Sequence, residues 1–153
     1  MSQVRTRQNP VLRLLFLLYC GLMLWLLFGK RMDGSLEISF EGAKENVNLV
    51  PFATVKLYLR LLQKGANRAL LRHAVVNLVG NVVMFVPLGW FLPSVWENLR
   101  AFFKTLFLAA VLICLVEAVQ LATGLGSCDV DDLILNLWGV ILGYGLWRMF
   151  HRN

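Results

Sequence analysis

Seven polar residues stand inside or beside apolar stretches, where polarity is costly: Asn77, Asn81, Glu117, Gln120, Asp129, Asp132 and Asn136. A charged side chain at the centre of a membrane helix costs about 2.5–3.5 kcal/mol on insertion scales, so such residues face a bundle interior. Their spacing groups them by helix face. Asn77 and Asn81 are four apart, and Glu117 and Gln120 are three apart. Asp129, Asp132 and Asn136 fall at i, i+3 and i+7, and Gly139 and Gly143 continue the same stripe. Carboxylates and carboxamides of this kind can hold a headgroup or a cation. A buried Glu117 could also act as a general base in a hydrolase, with Asn77 and Asn81 stabilising charge and Asp132 as a second acid. A carboxylate-only metal site from Glu117, Asp129 and Asp132 is a further arrangement to weigh.

Each residue taken alone also suits a structural role. Buried amides join helices in membranes, worth about 0.6–2 kcal/mol each. Asp129 or Ser127 can cap the helix that follows, with Asp131 and Asp132 at its positive end. The Gly139-x-x-x-Gly143 pair suits close helix packing, and Pro87 suits a kink or a helix end. Two acids at one depth are harder to explain as glue, and the cluster therefore reads as a pocket.

Four apolar runs must position these residues: Val11–Phe28, Ala74–Leu92, Leu106–Ala122 and Leu133–Phe150. Each has about 17–19 residues, enough at about 1.5 Å per residue to cross a hydrocarbon core of about 30 Å. Lipid offers no hydrogen bonds to a backbone, so each run is expected to be helical. The first has the basic start of a signal peptide, but it runs into Gly29-Lys30-Arg31 without a small-x-small cleavage site. It therefore reads as a retained span. Segment 29–73 is extramembrane. Leu36, Ile38 and Phe40 alternate with Glu37, Ser39 and Glu41, the pattern of a short strand. Residues 54–72 mix apolar residues with Lys56, Arg60, Lys64, Arg68 and Arg72, and read as an interfacial amphipathic helix or two half-helices, interrupted at Gly65. The expected fold is all-α: one polytopic membrane domain over residues 1–153, with four transmembrane helices and an interfacial helix.

Composition agrees. The 153 residues are 58% hydrophobic and 16% charged, with a mean hydropathy of +0.65. Soluble domains are about 45–50% apolar and about 25% charged. The net charge of +6 belongs to a chain too apolar for a nucleic-acid module, so its basic residues are expected to set orientation and meet lipid headgroups. Arg5, Arg7 and Arg13 before the first run, Arg100 and Lys104 between the second and third, and Arg148 and Arg152 at the end place both termini in the cytoplasm. Segment 29–73, with eight basic residues, runs against that orientation. In either orientation the three polar stripes come to the same leaflet. Cys20, Cys114 and Cys128 lack metal-ligand spacing. No H-E-x-x-H or G-x-S-x-G motif occurs, His73 sits at the mouth of a span and His151 in the tail. No metal and no cofactor are expected. Transport would require an oligomer, since four short spans are too few for a monomeric pathway.

Four blocks carry a resemblance. They are Asn48-Leu49-Val50-Pro51-Phe52, then Asn77-x-x-Gly80-Asn81-x-x-x-Phe85-x-Pro87-Leu88-Gly89, then Glu117-x-x-Gln120. The last is Asp129-Val130-Asp131-Asp132-Leu133-Ile134-Leu135-Asn136-x-x-Gly139-x-x-x-Gly143-Tyr144. In this order they resemble the VanZ-like family of small bacterial membrane proteins, whose founding member is associated with teicoplanin resistance. The resemblance implies a multi-helix integral membrane protein of the cell envelope, with membrane lipids and a lipid-like or glycopeptide ligand as partners. It supplies no reaction. Family members commonly carry an arginine shortly before the aspartates, where this chain has Leu125. A cation from Lys56–Arg72 could fill that role.

Overall fold

A computed structural model describes residues 10–29, 47–64, 67–123 and 128–151. The alternating segment 36–41 and Leu125 lie outside the described residues. The order is α1 (Pro10–Phe28), β1 (Val47–Asn48), α2 (Ala53–Gln63), α3 (Arg68–Val95), a 3-10 turn (Glu97–Leu99), α4 (Phe102–Ala122), β2 (Cys128–Asp129) and α5 (Val130–Phe150). Among the described residues, α1, α3, α4 and α5 are long and apolar enough to cross a membrane.

Two helices depart from their apolar runs. α3 begins at Arg68, ahead of Ala74, because Asn67 accepts the Ala69 amide through its side chain at 3.1 Å and caps the helix there. The basic residues Arg68 and Arg72 therefore form the first turns of the spanning helix. The amphipathic segment expected over 54–72 is correspondingly shorter, since α2 ends at Gln63. α3 also continues through Pro87 and Pro93 to Val95. In hydrocarbon a helix interrupted at proline would leave backbone groups unpaired, so continuing the helix is the less costly outcome.

The centre of the bundle is the pair α3 and α5. An added methyl at Gly139 would meet the Val82 carbonyl, and one at Gly143 the Val86 carbonyl. Four residues along α5 thus match four along α3, and the two helices run parallel with backbones touching. Gly89 presses in the same way on the Val140 carbonyl. Small residues permit this approach, which supplies packing where lipid supplies no hydrophobic drive. α4 completes the core with Ala109 and Ile113 against Phe85, Leu88, Leu92 and Val140.

α1 is held at two places. Phe16 packs edge-on against Phe91 and Trp96, and the Tyr19 hydroxyl donates to the Met84 carbonyl at 2.9 Å. Further along, the Gln120 amide donates to the Leu27 carbonyl at 3.2 Å. Between these points α1 stands off, leaving a crevice of about 370 Å³ bounded by α1, α3 and α4.

On α2, Thr54, Val55, Tyr58 and Leu61 turn inward, while Lys56, Arg60 and Lys64 are exposed. Leu57 and Leu59 are exposed as well, at 54% and 47%, and flank the inner face. A helix with this division lies along a membrane surface. Spin labels at Leu57 and Leu59 should show lipid-level oxygen accessibility in a bilayer, and a label at Lys64 aqueous accessibility. Equal water exposure at all three would remove α2 from the interface.

Candidate functional site

The carboxylates gather where the α2 N-terminus meets the α5 N-terminus. β1 and β2 pair in parallel, Val47 with Cys128 and Asn48 with Asp129. This pairing brings the Asn48–Thr54 stretch onto the aspartate loop. Asp129 caps α5, accepting the Asp131 amide at 2.8 Å. Its other oxygen accepts from the Thr54 hydroxyl at 2.6 Å and the Asn48 amide at 3.2 Å. Asp131, fully buried at 0% exposure, turns away from its own helix to cap α2. It accepts from the Phe52 amide and, at 3.0 Å, from the Val55 amide. Phe52 holds a left-handed backbone, φ 63°, a conformation costing about 1–3 kcal/mol for a residue with a Cβ. The Asp131 carboxylate on its N–H offsets part of that cost.

Every carboxylate oxygen of Asp129 and Asp131 thus has a partner, and the two form a structural clasp. The remaining polar groups are differently placed. The Asn81 amide donates to Asp132. Glu117, 7% exposed, faces the Asp129 backbone amide and lies within the field of the Asp132 and Asp129 carboxylates. Three acceptor oxygens are buried without a hydrogen-bond partner among the described residues: Asn77 Oδ1, Glu117 Oε2 and Asn136 Oδ1. Native structures leave few such groups, because each costs about 1–3 kcal/mol, and more when charged. Gln120 is not among them, since it is bonded to Leu27 of α1.

Tyr58 approaches the same space from α2. Burial pushes its hydroxyl above the ordinary tyrosine value, with Asp132 and Asp129 adding to the rise, so it remains a neutral phenol. Cys128 is pushed up by burial first and then by the Glu117 charge. His151 stacks on Trp147 at the other end of α5. Among the described residues no three His, Cys, Asp or Glu side chains come together as a metal site, and the ion pair they contain, Arg100 with Glu97 at 3.6 Å, lies beyond the opposite end of α3.

Sequence reasoning did not single out Thr54 or Tyr58, and it placed Asp131 in the first turn of α5 without its bonds to α2. The signal for Thr54 and Tyr58 is their i, i+4 spacing on the inward face of α2. Asp131 reaches α2 only through the β1–β2 pairing, which local spacing does not reveal.

Four helices long and apolar enough to span a membrane, an amphipathic helix clasped to them and a cluster of buried acids and amides beneath it define a small polytopic membrane protein. The VanZ/LLP1 family model matches residues 16–151, and the chain belongs to that family. It is similar to Protein VanZ of Enterococcus faecium, 25% identical over 139 residues, covering 91% of this chain and 74% of that protein. No solved structure matches.

Proposed function

We propose that this chain acts at the outer face of the cytoplasmic membrane, both termini inside, as a non-enzymatic binder of an envelope amphiphile. The observation that carries this reading is the set of orphaned acceptors, Asn77, Glu117 and Asn136, one on each of three helices long and apolar enough to span a membrane. Such oxygens are satisfied by a ligand that brings donors. The exposed basic face of α2 meets lipid phosphates. Relationship to Protein VanZ makes a glycopeptide carrying a lipid tail, such as teicoplanin, the compound to try first.

The test is tolerance of teicoplanin in a susceptible bacterium expressing the chain. Glu117→Gln and Asp132→Asn keep shape and hydrogen-bonding reach but remove charge. Each should abolish any tolerance that the unaltered chain confers, at equal expression and insertion. Full tolerance in both variants would make the carboxylates dispensable and leave the cluster as interhelical glue.

A further inference from the structure

α1 is fastened to the bundle at two points and stands away between them. The Tyr19 hydroxyl on the Met84 carbonyl marks one end of the gap, and the Gln120 amide on the Leu27 carbonyl marks the other. From Tyr19 to Leu27 the helix rises about 12 Å, at about 1.5 Å per residue. Along this stretch lies the crevice of about 370 Å³ between α1, α3 and α4. Met23, Phe85 and Leu88 at its back are buried, while Leu24, Leu115 and Val119 at its mouth are exposed. None of the buried acids and amides lines it, so it is a separate feature from the polar cluster.

All three walls belong to helices long and apolar enough to cross a membrane, and the mouth therefore opens on hydrocarbon. Apart from Cys20 and Tyr19, whose hydroxyl is already bonded, every lining side chain is Leu, Val, Met or Phe. Water is a poor occupant, since it needs about two to four polar partners. An empty crevice forfeits the dispersion contacts of its walls. A helix about 10 Å across fills about 400 Å³ for each turn of about 5.4 Å. A space of about 370 Å³ drawn out over about 12 Å is too narrow for a helix of a second copy, but it admits an extended hydrocarbon chain. The crevice lies in the half of the bundle where α1 and α4 end, at Phe28 and Ala122, so the chain comes from that leaflet.

We propose that the crevice is a seat for one acyl chain of a membrane phospholipid, held between α1, α3 and α4. The full-length protein, reconstituted in vesicles of phosphatidylglycerol and phosphatidylethanolamine, tests it. A trace of the phosphatidylglycerol carries a diazirine midway along one chain. The protein is then exchanged into detergent, which strips loosely associated lipid, and irradiated, and the adducts are mapped by peptide mass spectrometry.

Leu27 and Val116, half-buried in the crevice, should carry at least about tenfold more adduct than Phe107, which is exposed on α4 outside it; about 1.4 kcal/mol of preference for the crevice gives that ratio. Val116→Trp, which fills the space, should lower the Leu27 adducts by a similar factor. Adducts spread evenly over Leu27, Val116 and Phe107, or absent from all three, overturn the proposal. So does a dimer that persists in native mass spectrometry and is dissolved by Val116→Trp without any lipid adduct, which would assign the crevice to a second copy. The comparison of Leu27 with Phe107 uses the unaltered protein and remains decisive where the tryptophan variant fails to fold.

Discussion

Replacing Asp131 by alanine should release α2 from the bundle. The carboxylate is fully buried and accepts the backbone amides of Phe52 and Val55. Hydrogen bonds to a charged group contribute about 1.5–3 kcal/mol each, so losing both costs about 3 kcal/mol or more. Thr54 on Asp129 is a further polar tie of α2 to the aspartate loop, but Phe52 loses the bond that offsets its left-handed backbone. The expected result is local. Amide exchange at Phe52 and Val55 should accelerate by about a hundredfold, since every 1.4 kcal/mol is tenfold, while the cores of α3 and α5 keep their protection. Asp131→Asn keeps one acceptor oxygen and should fall between the two. Unchanged exchange in Asp131→Ala would show that the β1–β2 pairing alone holds α2, and the clasp would lose its central residue.

The spans, the polar stripes and the glycine stripe of α5 are all legible in the sequence, because each is a local pattern. An apolar run long enough to cross lipid has one stable backbone form, and residues at i, i+3, i+4 and i+7 share a face wherever the helix is. Depth follows from the same rules, which is why Asn81 and Asp132, 51 residues apart, are placed in one leaflet by spacing alone, and they are hydrogen-bonded. The clasp is not legible. Asp131 shares its first turn with Asp132 and looks like another acid at a helix N-terminus. Only the pairing of Asn48 with Asp129 turns it toward α2. Gln120 illustrates the opposite limit. It shares a face with Glu117, yet α1 offers the Leu27 carbonyl at the edge of that face, and helix spacing does not say which neighbour a long side chain reaches. The start of α3 also escapes hydropathy, because Arg68 and Arg72 belong to a helix that continues past the apolar run.

The contact between α3 and α5 gives the second large effect. At Gly143 an added methyl would overlap the Val86 carbonyl and press on the Trp90 amide nitrogen. Both are backbone atoms of a helix, so no rotamer change relieves the clash, and α5 must move off α3. Overpacking costs about 1–3 kcal/mol and occasionally more; backbone against backbone belongs at the upper end. Gly145, two residues on, has nothing within 4 Å of its added methyl. There alanine should be neutral or stabilising by about 0.5–1 kcal/mol through helix propensity. Thermal unfolding of the detergent-solubilised protein should therefore separate the two variants, with Gly143→Ala melting well below the unaltered chain and Gly145→Ala at or above it. The displacement also reaches the polar cluster. Asn136 lies two turns before Gly143 on α5, and Asp132 is joined to Asn81 across the same interface. Moving α5 away stretches that bond and admits water to the orphaned oxygens of Asn77 and Asn136. Equal melting of the two alanine variants would mean that the helices are not in backbone contact at Gly143.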